Sequence, residues 1–247
     1  MGKGFVRFYR LKAARKKRDV AVLQYNHRLY GRRLDYPRTQ VTTNDFKLSP
    51  RYYASKWKAL NLSKNNSADW NIAIDILEDR ITGRFFKQIQ TLRENVDWRV
   101  WEFSGFVIVA IDCLLIETLE QFYRGVKRTG KDQDVQVFHD FFQRSKELSL
   151  FFDSIDKTRV FYSHIRCGIL HQAQTKKKSR IQIRPSTPLV SWIDPRDHQQ
   201  GILLNRNKFH TAVVHVFNDY LRQLRKGKDF NLRVKMKRKM DFIAAQA

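Results

Sequence analysis

Between Phe103 and Leu119 the chain runs almost without interruption through apolar residues, and the only charges it meets there are Asp112 and Glu117. A bilayer core requires about 20 apolar residues in helical form. This tract barely reaches that length and carries two acids inside it, so it reads as a helix for the interior of a protein rather than of a membrane. Extended by the pattern on either side it covers about Trp98 to Val126, with apolar residues around nearly the whole circumference. A helix of that kind belongs in the middle of a bundle. The rest of the chain must therefore supply the helices that surround it.

Such helices can be read on both sides. Ser67 is a plausible N-cap, and Ile72, Ile76, Leu77, Ile81, Phe85, Ile89 and Leu92 follow at three- and four-residue steps. A third helix is expected from about Val135 to Phe152, and a fourth from about Thr158 to Gln174 after the polar break at Asp153 to Lys157. Four helices joined by short connections suggest an up-and-down bundle. Beyond them, Arg180–Arg184 and Leu189–Ile193 alternate around Pro185 and Pro188, the pattern of a small β-hairpin spanning about 180–194. A fifth helix, about Asn207 to Leu224, aligns Phe209, Val213, Val216, Phe217, Tyr220 and Leu224 in one stripe. The fold class is thus all-α, a four- to five-helix bundle at 65–226 with a hairpin insertion. A basic extension at 1–64 precedes it and a mobile basic tail at 227–247 follows it.

Charge narrows the partners. With 48 Lys and Arg against 24 Asp and Glu, the net charge is +24, and self-repulsion on that scale is relieved by a polyanion. RNA or DNA fits. An anionic membrane would also attract the chain, but no signal peptide, lipidation signal or spanning segment is found, so no membrane partner is expected. Cys113 and Cys167 alone are too few for a disulfide framework or a four-ligand zinc site. They read as buried free thiols in a reducing, cytoplasmic setting. Arg15, Lys16, Lys17 and Arg18 lie among aromatics at Phe5, Phe8, Tyr9, Tyr25, Tyr30 and Tyr36. They are candidate nucleic-acid contacts, as are Lys176, Lys177 and Lys178. The same N-terminal pattern also fits an amphipathic helix packed on the bundle.

The fourth helix carries Arg166-Cys167-Gly168-Ile169-Leu170-His171. Arg and His suit RNA cleavage, because attack by a 2′-hydroxyl on the adjacent phosphate needs a proton carrier and a phosphate clamp and can proceed without metal. Imidazole moves the proton, and guanidinium grips phosphate oxygens through a two-pronged fork. An Arg and a His five apart are common by chance, and Arg159 with His164 makes a second match. On a straight helix such a pair is about 140° apart. Gly168 is the residue able to permit a distortion between them. His164 and Tyr162 are candidate helpers at the cleft. Asp112 and Glu117 are candidate partners that orient Arg166, with a structural ion pair elsewhere as the alternative. His164 and His171 are about 10 Å apart along a helix, too far to share a metal. His210 and His215 read as helix-surface or core-edge residues. No metal site and no cofactor are expected, and Gly-rich phosphate loops, nucleophile elbows and His-Glu-x-x-His are absent from the sequence.

The string RCGILHQAQT, Arg166–Thr175, resembles the corresponding tract of small bacterial HEPN ribonucleases, and a looser resemblance runs from about Ala68 to the helix start at Asn205–Phe209. It does not cover the first fifty or so residues. Cys167 departs from the polar residue, such as Asn, that many HEPN nucleases carry after the Arg. The resemblance implies Arg166 and His171 as catalytic residues of a metal-independent endoribonuclease. It further implies a homodimer in which two motifs face one cleft, a toxin or anti-phage role, and a possible protein partner such as an antitoxin. The alternative is a non-catalytic nucleic-acid-binding module in a ribonucleoprotein or regulatory complex.

Overall fold

A computed structural model describes residues 45–246. The chain is mostly helical, with one small sheet. α1 is Ala54–Lys58. α2 (Asp69–Ile81) widens into a π segment at Thr82–Phe86 and continues as α3 (Lys87–Arg93). α4 (Trp98–Phe103) leads into α5 (Gly105–Arg124), and α6 (Asp134–Arg144) is followed by the short α7 (Lys146–Ser149). α8 (Ile155–Val160), a second π segment at Phe161–Arg166 and α9 (Cys167–Gln172) form one broken helix. α10 (Arg206–Lys226) and α11 (Phe230–Ala244) close the chain.

α5 packs against α6, α10 and α11, as a central helix must. Its inward residues Ile108, Val109, Leu115, Ile116, Leu119 and Phe122 are all completely buried. Around them gathers an aromatic cluster in which Phe142 stacks on Phe152 at 4.4 Å and meets Phe161 edge-on at 5.2 Å. Aromatic rings supply large apolar area together with preferred contact geometries, so this cluster fixes how α6, the α8–α9 helix and α10 meet.

Four expectations about helices and strands change. The helix read over 98–126 is broken at Ser104, where α4 ends. Its terminal carbonyls on Trp101 and Glu102 need donors, and the wholly buried Arg206 supplies them while also donating to Ser104 Oγ at 2.9 Å. The same helix is not enclosed all round: Phe103, Phe106, Val107 and Leu114 are 39–70 % exposed along one side. The two strands read as a hairpin do not pair with each other. β1 (Arg180–Gln182) runs parallel to β3 (Ile202–Asn205), and β2 (Val190–Trp192) antiparallel to it, giving the order β1-β3-β2. β3 is a short apolar run that periodicity cannot separate from the start of the next helix. Finally, the tail read as mobile contains α11, whose Leu232, Met236, Met240 and Ala244 are buried. Gly227, left-handed at φ 62°, ends α10 and turns the chain into it.

Buried charge pins the central helix. Asp112 is wholly buried and meets His210 Nδ1 of α10 at 2.8 Å, while its second oxygen has no partner among the described residues. The expectation that His210 lies at the helix surface or core edge is therefore corrected. Burial raises the Asp112 pKa, and His210 and Arg93 oppose that shift. Removing one member of such a pair strands the other and costs about 3–5 kcal/mol, whereas apolar replacement of both is close to neutral. His210→Leu should accordingly lower unfolding stability by about 3 kcal/mol or more, and Asp112→Leu/His210→Leu should recover most of the loss, as read by urea denaturation. In the single variant Asp112 holds its proton more readily when folded than unfolded. The penalty is therefore full at neutral pH and shrinks as pH falls through the raised folded pKa.

Candidate functional site

The π segment Phe161–Arg166 lies against α5 and delivers two side chains to its edge. Tyr162 turns its ring under the Arg166 guanidinium at 5.1 Å and donates its hydroxyl to Asp134 Oδ2 at 3.0 Å. On its other side Arg166 meets Glu117 Oε2 of α5 at 3.7 Å. Glu117 is itself fixed, because Thr129 donates to its Oε1 at 3.0 Å and Gln121 donates to Thr129 at the same distance. A π segment adds one residue to a helical turn, and such segments recur at functional sites. Here the wider turn carries Tyr162 and Arg166 from a helix that is otherwise committed to the core through Phe161 and Ile165.

Arg166 keeps a fifth of its side chain in solvent, and His171, one turn and a half further on, is exposed. No hydrogen bond or ion pair joins them within one chain among the described residues. The distortion lies upstream of Arg166, at Phe161–Arg166, and not between the two residues. Gly168 instead makes room for the returning chain, since a Cβ there would stand 2.5 Å from Gln174 O and 3.2 Å from Lys176 N. Its bare backbone lets the chain turn back at Ala173, in the left-handed region at φ 54°, and pass directly over α9. That return places Lys176, Lys177 and Lys178 beside the fourth helix, and Lys176 N–H donates to His164 O at 2.9 Å.

His164 is buried, with Nδ1 3.4 Å from Ser179 Oγ. Burial lowers its pKa, and the charges of Lys177 and Lys176 add to the effect, which disfavours the charged ring. It supports the lysine turn from beneath and does not present itself to solvent. This also separates the two Arg–His matches, since Arg159 is exposed and paired with Asp156 while its His164 is inside.

Asp112 does not reach Arg166; its partner is His210, and it belongs to the core. Glu117 does. Cys113 is buried, but Cys167 is only half-buried, which corrects the expectation of two buried thiols. Arg15, Lys16, Lys17 and Arg18 lie outside the described residues. Asp134, Thr129 and Ser179 each hold a site residue and carry no sequence signal, because their partners are 12 to 28 residues away on other segments. Among the described residues no group of three or more His, Cys, Asp or Glu is placed to hold a metal ion, and no helix is long and apolar enough to cross a membrane.

No family model, curated protein or solved structure matches this chain.

The packing at Gly168 can be checked directly. Gly168→Ala forces a methyl against the Gln174 carbonyl, an overpacking that costs about 1–3 kcal/mol. Chemical denaturation should read that loss. Hydrogen exchange should show the Lys176 amide, bonded to His164 O, opening faster in the variant than in the wild type.

Proposed function

We propose that this protein is a metal-independent endoribonuclease of the HEPN type, acting as a homodimer with Arg166 and His171 as its catalytic residues. The observation that carries the reading is the setting of Arg166. Its guanidinium is backed by Tyr162, held by Glu117 and still open to solvent, with exposed His171 and the Lys176–Lys178 turn following on the same segment.

In this reading a phosphate of RNA docks on the Arg166 fork, and the lysine turn draws the backbone in. His171 of one copy takes the proton from the 2′-hydroxyl as that oxygen attacks the phosphorus. The 5′-oxygen leaves and receives a proton from His171 of the second copy, giving a 2′,3′-cyclic phosphate and a 5′-hydroxyl. Arg166 stabilises the extra negative charge that gathers on the phosphoryl oxygens in the transition state. Two copies are needed because, among the described residues, one chain offers a single exposed imidazole at this site. Among the described residues, an exposed apolar side of α4 and α5 gives them a place to meet: Phe103, Val107 and Leu114 lie along it, Glu117 follows one turn later, and exposed Leu170 stands next to His171. A contact there brings apolar cover and a second Arg166–His171 tract together. A role as a toxin or anti-phage effector, a HEPN-like bundle and an antitoxin partner come with the sequence resemblance alone.

Two features favour a second reading. Glu117 places negative charge 3.7 Å from Arg166, and the neighbour Cys167 adds no strong hydrogen-bonding group. Both weaken a phosphate clamp and suit a module that binds RNA without cutting it.

Cleavage of RNA in the presence of EDTA separates the two. The nuclease reading expects cleavage to persist with chelator and to fall about 100-fold or more in His171→Ala and in Arg166→Ala. Loss of cleavage with EDTA, or survival in both variants, contradicts it. Salt-sensitive binding with no product at any enzyme concentration selects the second reading. Leu114→Glu, at a position already 48 % exposed, should yield a folded monomer by sedimentation and abolish cleavage.

A further inference from the structure

A cleft of about 570 Å³ opens where the end of α3, the segment after α7, the loop between β1 and β2, and the first turn of α10 converge. It shares no lining residue with the Arg166 site. Its volume lies in the range of small-molecule pockets, about 300–1,000 Å³.

The walls divide sharply by chemistry. Leu150, Phe151, Ile183, Pro185 and Leu189 form the apolar side. Leu150, 76 % exposed, offers the most accessible apolar surface of this wall. The polar side consists of Arg93, Asn205, Asn207, Lys208 and Thr211, together with the carboxylate of Glu147.

The hydrogen bonds already made on that side determine what it can still offer. Asn205 is consumed as the N-cap of α10: its Oδ1 accepts from Asn207 N and Lys208 N, and its Nδ2 donates to Arg184 O and to Thr187. Asn207 Oδ1 accepts from Arg93 Nε at 3.2 Å, so Asn207 retains its amide N–H groups. Thr211 donates to Asn207 O at 2.9 Å. Glu147 faces His215 Nδ1 at 3.2 Å. What remains beside the Glu147 carboxylate is a set of donors: the Arg93 terminal nitrogens, the Asn207 amide and the Lys208 ammonium. They stand at the N-terminal end of a 21-residue helix, whose dipole adds to the same sign.

Arg93 is the telling member. It is partly buried and makes no salt bridge among the described residues, and the wholly buried Arg206 nearby makes none either. Burial lowers the pKa of Arg93, with Asp112 and Glu94 opposing, and burial followed by the charge of Arg93 pulls Arg206 down to about 10. Arg93 therefore presents to the cleft a guanidinium that has no salt bridge among the described residues and that a bound anion would partner.

We infer that this cleft binds a small amphiphilic anion, with a carboxylate or phosphate head on Arg93, Asn207 and Lys208 and an apolar body against Leu150, Phe151 and Pro185. None of these residues belongs to the Arg166 site, so the anion cleft and the nuclease reading stand or fall separately.

Isothermal titration of the full chain with octanoate, octyl phosphate and octanol tests it. One of the two anions should bind at a single site with a dissociation constant below about 1 mM, and octanol at least about tenfold more weakly, the difference expected for hydrogen bonds to a charged head. Which anion is the tighter ligand tells a carboxylate from a phosphate source. Arg93→Gln and Leu150→Glu should each weaken the anion by about tenfold or more. Leu150 is mostly exposed, so its variant keeps the fold even if loss of the Arg93–Asn207 contact disturbs α3. Absence of saturable binding by either anion, equal binding of octanol, or full affinity in Leu150→Glu overturns the inference.

Discussion

Three carboxylates on the central helix hold this protein in register. Asp112 meets His210 of α10, Glu117 meets Arg166 of the π segment, and Glu120 takes both Arg144 of α6, at 2.7 and 2.9 Å, and Arg124 of its own helix. In a chain with twice as many basic residues as acids, few carboxylates are available. A helix packed by leucine, isoleucine and phenylalanine alone could slide or rotate by a turn with little loss. A wholly buried carboxylate such as Asp112 or Glu120 resists this, because displacement would strand it without its basic partners. Asp112 and Glu120 therefore tie α10 and α6 to α5 at fixed heights, and the partly exposed Glu117 adds a weaker link to the broken fourth helix.

The site inherits its position from that arrangement. Glu117 is the outermost of the three and the only one with access to solvent, at 30 % exposure, so its partner Arg166 is fixed yet reachable. The hydrogen bonds behind it continue through Thr129 and Gln121 to the buried Lys239 of α11, which also donates to Lys127 O. The C-terminal helix thus supports the Arg166 side of the molecule, and burial lowers the pKa of Lys239 at the far end of the chain of contacts.

Much of this is legible in the sequence and some is not, for identifiable reasons. The apolar run from Phe103 to Leu119 announces a core helix because its length and two acids exclude the alternatives. The stripe from Phe209 to Leu224 marks α10 within two residues at each end. The break at Ser104 is invisible locally, since it depends on Arg206, a hundred residues away, reaching the freed carbonyls. The sheet departs from the expected hairpin because β3 is four residues of mostly apolar sequence, and strand pairing is a tertiary choice that local alternation does not encode. α11 reads as a tail because five Lys and Arg between Arg233 and Lys239 interrupt its apolar residues, although Leu232, Met236 and Met240 fall on one face. At the site, Arg166, His171 and Glu117 can be singled out from residue chemistry. The role of Gly168 cannot, since the backbone it accommodates arrives only after the turn at Ala173.

At the centre of the proposed chemistry are a guanidinium and an imidazole from this broken fourth helix acting on a ribose-phosphate. The most direct measurement is the fate of an oligoribonucleotide compared with the same strand carrying one 2′-deoxyribose at the cut position. Mass spectrometry should find 2′,3′-cyclic phosphate and 5′-hydroxyl ends from the first and no scission at that position in the second. Scission that ignores the missing hydroxyl, or ends bearing 3′-hydroxyl and 5′-phosphate, would contradict it.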